Sequence, residues 1–209
     1  MFPTFTKSQR SASKKICIFY KQPVLLPKTQ KMAKQYNEIS PEFQTFIENQ
    51  KVFFVATAPQ EGHINLSPKG MDSLRVLNAH KIVWLNLTGS GNETAAHLLE
   101  DSRMTIMFCA FEGKPLILRL YGNAKALHPR DPEWNDYIHL FPNFVGSRQL
   151  LLMDIELVQT SCGYSIPFMP FEKERNGLEK WSAKKGEEGI KEYWQEKNTV
   201  TIDGKPTGI

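Results

Sequence analysis

Strand-like segments follow one another along most of this chain with little helix between them. KVFFVATA (51–58), HINLS (63–67), LRVLN (74–78), KIVWLNLT (81–88), RMTIMFCAFEG (103–113) and KPLILRLYGNAKAL (114–127) are rich in β-branched and aromatic residues. Parallel strands would need a crossover of about a dozen residues or more, usually a helix, at every step. Helical rhythm appears inside this run only at GSGNETAAHLLED (89–101). The strands must therefore pair antiparallel and close into a barrel or curled sheet. PQEG and Glu112-Gly113 supply two of the turns, and RQLLLMDIELVQTS (148–161) adds a further long strand.

Helices flank this β body. Ser40-Pro41 precedes EFQTFIENQ, with Ser as N-cap, Pro at N1, and Phe43, Phe46 and Ile47 on one face. Ser90 and Glu93 have capping-box spacing before Ala95, Ala96, Leu98 and Leu99. Asp131-Pro132-Glu133 opens a stretch that carries Trp134, Tyr137 and Ile138 on one face. GLEKWSAKKGEEGIKEYWQEKN reads as two short amphipathic helices hinged at Gly186 or Gly189, and TIDGKPTG as a terminal turn. No repeat, low-complexity tract or linker divides the body.

Charge divides the chain where hydrophobic pattern does not. Residues 1–31 hold seven basic side chains and no acid, while the rest carries 19 basic against 22 acidic. The formal charge of +4 therefore belongs to the leader, and a body of slight negative charge argues against nucleic-acid binding. The domain reading is a basic flexible leader, 1–31, and one folded domain, 32–209. Within the leader ICIFY (16–20) is an alternative edge strand, and the composition resembles a mitochondrial presequence, a minor alternative because Pro3, Pro23 and Pro27 interrupt any long helix. Cys17, Cys109 and Cys162 lie far apart without a CxxC, which points to a reducing compartment, the cytoplasm or nucleus. No apolar run is long enough to span a membrane, and the five histidines form no ligand cluster, so no metal site is expected.

Three places could carry chemistry. In INLSPKGM (64–71), Ser67 and Lys69 are two apart on extended backbone and point to one side, a hydroxyl beside a cation suited to a phosphate ester; a solvated turn is the plain alternative. In TGSGNETAAHL (88–98), two glycines allow close backbone approach, a helix start exposes N–H groups, and Thr88, Ser90, Asn92 and Thr94 add donors. This is neither GxGxxG nor GxxxxGK[ST], and a capped turn without ligand is its alternative. SCGYSIPFMP (161–170) places Cys162 and Tyr164 in an apolar loop, better suited to a wall for a planar ligand than to nucleophilic catalysis. Arg119 and Arg148 stand in apolar strands, where a guanidinium is costly without an anion, supplied by a ligand or by a protein carboxylate.

Taken in order, FFVATAPQEGHINLSPKG, WLNLTGSGNETAAHLLEDSRMTIMFCAFEGKPLILRLYGNA, TSCGYSIPFM and LEKWSAKKGEEGIKEYWQEKNTVTIDGKPTG resemble the pyridoxamine 5'-phosphate oxidase-like family of flavin-binding split barrels over about residues 38–208. The resemblance implies a mainly β fold, a six-stranded antiparallel split β-barrel with flanking short helices. It further implies a homodimer with FMN between subunits and a small-molecule redox substrate. Ser67, Lys69, Ser90, Asn92 and Thr94 match flavin- or phosphate-holding positions, and Arg119 would lie nearby. Cys162 and Tyr164 of CGYSIP, with Trp181 to Lys185, match a wall lent by the partner subunit. GHINLSPKG and IDGKPTG depart from the arginine-rich and Arg/His signatures of the true oxidases, which removes the support for a phosphorylated-vitamin substrate. Two function classes compete: a flavin-dependent oxidoreductase, and a non-enzymatic or degenerate split-barrel dimer with weak or no flavin binding.

Overall fold

The computed structural model describes residues 33–209. The basic leader and the ICIFY alternative lie outside the described residues. The elements are β1 (Ala33–Tyr36), α1 (Pro41–Asn49), β2 (Phe53–Thr57), β3 (Asn65–Lys69), β4 (Leu74–Asn78), β5 (Lys81–Leu87), α2 (Glu93–Glu100), β6 (Arg103–Cys109), β7 (Ile117–Leu127), α3 (Trp134–Ile138), β8 (Ser147–Ser161) and α4 (Gly177–Lys197).

All the strand pairings are antiparallel, in the order β3-β2-β6-β7-β8-β5-β4, with β1 added to the far half of β8. The fold is mainly β, a split barrel: β3 and β4 end the order without pairing to each other. The sheet has eight strands rather than six. AKQY, β1, has no apolar alternation and is strand only because β8 offers it Val158–Ser161 as a ladder.

Two faces are covered, which explains why KIVWLNL is apolar without alternating. Ile82 and Trp84 of β5 join Leu151 and Met153 of β8 inside the barrel, with Phe53, Ile106, Phe108 and Leu120. Val83 and Leu85 face the other way, with Leu150 and Leu152, under Trp134 and Phe141. The α3 region thus caps an outer face that would otherwise expose these side chains.

Helix α1 begins as its sequence requires: Pro41 is at N1, and the Ser40 hydroxyl accepts from the Phe43 N–H at 3.2 Å. Helix α2 begins later than the Ser90–Glu93 spacing suggests. Asn92 is its N-cap residue, no side chain caps it, and the Glu93 carboxylate accepts from the Ile202 N–H instead. The tail hinge falls at Gly186, whose φ of 67° kinks α4. Among the described residues no helix is long and apolar enough to cross a membrane.

Strands β7 and β8 pair along all of β7 with one irregularity between Tyr121 and Gly122. There the backbones approach so closely that a β-carbon on Gly122 would overlap the Asp154 carbonyl. Gly122→Ala is therefore expected to destabilise the fold by about 1–3 kcal/mol or more, the scale of overpacking a rigid core, read from the urea midpoint. A midpoint unchanged from wild type would refute this contact.

Candidate functional site

A pocket of ≈ 580 Å³ lies where the sheet stays open. One wall is Asn65, Ser67 and Lys69 of β3, from one end of the strand order; the other is Asn86 and Leu87 of β5 with loop 89–92 and the start of α2. Val200, Thr201 and Ile202 cross beside it, and Arg148 of β8 also borders it. The structure thus gathers Ser67, Lys69, Ser90, Asn92 and Thr94.

Strand periodicity explains the β3 contribution. Lys69 and Ser67 are register partners of the buried Phe53 and Val55, so they face the same side, whereas Pro68 pairs with Phe54. Lys69 stands with its ammonium 5.0 Å from the ring centroid of the buried Trp84. Its pKa is lowered to about 8, first by burial and then by the charge of Arg148. Arg148, 3% exposed, is itself pushed down to about 10 by burial. Its guanidinium donates to the Gly91 carbonyl at 3.0 Å, to Asn198 Oδ1 at 2.6 Å and to Gln149 Oε1 at 3.2 Å. Among the described residues neither cation pairs with a carboxylate.

Polar groups in the same pocket also lack partners. Both amide atoms of Asn92 and the Ser67 hydroxyl are buried without a hydrogen bond, although buried polar groups are normally satisfied. Thr94 Oγ1 accepts from Asn65 Nδ2 at 3.2 Å. The first-turn N–H groups of α2 are orphaned in the ordinary way and have no side-chain cap. Added β-carbons at Gly89 and Gly91 would meet no atom of the chain closer than 3.4 Å, and neither glycine has positive φ. The fold itself does not demand glycine there; a ligand close to the backbone would. A buried guanidinium, a half-buried ammonium, uncapped donors and an open backbone fit a phosphate monoester such as that of FMN.

The loop is held from a distance. Asn198 Nδ2 donates to the carbonyls of Gly89 at 3.1 Å and Ser90 at 3.4 Å, and Trp194 Nε1 donates to Thr88 Oγ1 at 2.8 Å. The crossing segment is tied by Asp203, which accepts from the His63 N–H at 2.8 Å, and by Lys205, whose ammonium lies 2.7 Å from Glu100. Sequence reasoning singled out Arg148 as a costly buried charge but did not bring it to this pocket, and it missed Asn65, Asn198 and the 200–202 segment.

The remaining expected residues stand elsewhere in the chain. Arg119 donates to Ser161 Oγ at 3.2 Å. Cys162 is half-buried and Tyr164 is 81% exposed. Trp181 packs edge-on against Tyr193, centroids 5.0 Å apart, with Lys185 over both rings. None of these five lines the pocket. Among the described residues no group of three His, Cys, Asp or Glu side chains could hold a metal ion.

A family model described as pyridoxamine 5'-phosphate oxidase matches residues 39–162. The pyridoxamine 5'-phosphate oxidase family protein ustO of Aspergillus flavus is 34% identical over 191 residues, covering 82% of this chain and 76% of that one. Among solved structures, HupZ of Group A Streptococcus is similar over 57% of this chain and 91% of its own, at 20% identity and a TM-score of 0.46. An FMN-binding protein from Syntrophomonas wolfei is similar over 63% and 84%, at 14% identity and a TM-score of 0.39.

Burying Lys69 without an anion has a consequence for stability. Up to about pH 8 it is protonated folded and unfolded, and the burial cost is present in full. Between about 8 and the ordinary 10.5 the unfolded chain keeps a proton that the folded chain releases, so this group makes stability rise with pH. Lys69→Met, without ligand, is expected to be more stable than wild type at pH 7 by on the order of 1–3 kcal/mol, a gain that vanishes toward pH 10. Urea unfolding at the two pH values measures it, and a less stable variant at pH 7 would contradict the unpaired cation.

Proposed function

Because the chain belongs to the pyridoxamine 5'-phosphate oxidase family, we propose that it binds FMN and works as a flavin-dependent oxidoreductase on a small-molecule substrate. The observation that carries this reading is the buried Arg148 and the half-buried Lys69 sharing one pocket with the partnerless Asn92 amide. A phosphate monoester brings about 1.5 to 2 negative charges at neutral pH and three acceptor oxygens, which these groups lack within the chain.

In this reading Lys69 and Arg148 supply charge, and Ser67, Ser90, Asn92 and Thr94 supply neutral hydrogen bonds. Arg148 acts without moving, since Gly91 and Asn198 already hold its guanidinium. Flavin, when bound, supplies the ring that accepts a hydride, so no protein nucleophile is needed. The Trp84 indole beneath Lys69 gives the ammonium an apolar floor and keeps water from that side.

The same proposal makes the protein a homodimer. Cys162 and Tyr164, with Trp181 and Lys185, belong in it to a wall that one protomer lends its partner. Tyr164 and Phe168, each 81% exposed, are large apolar side chains on a surface that a second copy would cover.

FMN and riboflavin titrations of the full chain test the flavin reading. Lys69→Ala is expected to weaken FMN by about 1.5–3 kcal/mol, the scale of a charge-assisted hydrogen bond, which is about ten- to a hundredfold. Thr94→Ala, removing a neutral partner, is expected to cost about 0.5–1.5 kcal/mol. Riboflavin, which lacks the phosphate, should be indifferent to Lys69→Ala; an equal loss for both ligands would remove Lys69 from the phosphate. No binding by wild type at high micromolar FMN would favour the degenerate, non-enzymatic barrel. Light scattering should give twice the chain mass at micromolar concentration, and a stable single-chain mass would sink the dimer.

A further inference from the structure

We infer that the chain binds a bulky, predominantly apolar organic molecule of aromatic-ring size in a second cavity, on the opposite face of β3 from the anion pocket. The site is separate from the flavin reading above, and the class of ligand rests on the cavity's own walls.

The cavity measures ≈ 970 Å³, larger than the anion pocket and at the upper end of the roughly 300–1,000 Å³ typical of small-molecule sites. Phe54 and Pro68, register partners that point away from Ser67 and Lys69, form its floor. Met71, Phe111, Met169 and Phe171 close over them. Lys69 borders both cavities, but its side chain lies with Ser67 on the anion-pocket face of β3, so the strand stands between the two spaces.

Two further features mark this cavity as built. Its cover is irregular chain, fastened by the Met169 N–H donating to the Phe111 carbonyl and the Phe171 N–H donating to Glu112 Oε1, both at 3.0 Å. The Lys51 ammonium lies 5.7 Å from the Phe171 ring centroid. Met71, which lines the cavity, and the following Asp72 are consecutive non-glycine residues with φ of 61° and 52°. Such strain gathers at ligand sites, and here it is held by the Ser73 hydroxyl on the Gly70 carbonyl at 2.6 Å and by Asp72 on Arg75 at 2.7 Å.

Charge decides the ligand class. Apart from Lys69, the rim carries Lys51, Lys173 and Arg175 against Glu112, Glu172 and Glu174, a balance that offers no net attraction to an anion. A phosphorylated ligand would need a cation cluster of its own, and the one shared cation already faces the anion pocket. An apolar molecule needs only the aromatic walls.

The test uses the full chain without flavin and the neutral fluorescent probe N-phenyl-1-naphthylamine. Wild type should bind it saturably, and Met169→Arg and Phe171→Glu, both at partly exposed positions, should each weaken it about tenfold. In the same variants FMN affinity and oligomeric mass should stay as in wild type. Unsaturable binding, or equal affinity in both variants, would overturn the proposal. Probe capacity that falls as chain concentration rises would overturn it too, because a second copy would then fill the cavity. Displacement of the probe by pyridoxal 5'-phosphate would overturn the apolar class. Saturable probe binding in a protein that takes no FMN would refute the flavin reading and leave the apolar site standing.

Discussion

The β7–β8 ladder is the constraint from which the other elements take their places. Strand β8 has 15 residues, enough to pair with β7 on one edge while the other edge is divided between β5 and β1. One ladder therefore joins the β6-β2-β3 arm to the β5-β4 arm. The Gly122 irregularity shifts the register of β7 on β8 without ending that ladder, at a point where the two backbones approach too closely for any side chain. The gap between β3 on one arm and β5 on the other is the anion pocket. Split and site are one geometric fact.

Arg148 shows what this arrangement costs. It sits near the start of β8, among residues buried on both faces, and finds only neutral oxygens for its guanidinium. A buried charge without a counter-charge carries a desolvation penalty that neutral hydrogen bonds offset only in part. Lys69 stands near that charge, which adds to its own burial in lowering its pKa, whereas the Arg148 pKa is lowered by burial. Any anion accepted by the pocket would relieve both residues at once and would stabilise the folded chain by mass action.

What was legible in the sequence was local. Ser40-Pro41 capping, the apolar runs of β5 and β8, and the alternation that aims Ser67 and Lys69 one way all depend on near neighbours. The resemblance placed Asn92 and Thr94 beside them. Strand β1 was illegible because AKQY has no pattern of its own and borrows its conformation from β8. Strand β3 runs two residues further than HINLS, through Pro68, because the edge of a sheet tolerates proline. Arg148 was visible as an anomaly, but its address depended on Asn198 and Gly91, which no spacing connects. Glu93 misled for the same reason: its partner, Ile202, lies in a distant segment.

The Asn198 clamp on the Gly89 carbonyl spans 109 residues of sequence. A contact of that range forms only after a large loop has been closed, so its entropy is lost before the hydrogen bond returns anything. Loop 89–92 cannot hold its shape through neighbours alone, and a peptide carrying GSGNET would not bring the pocket with it. Assembly of the anion site therefore needs residues 198–202 docked as well as the sheet formed. A chain with a complete barrel and an undocked segment would have native-like strands and no binding.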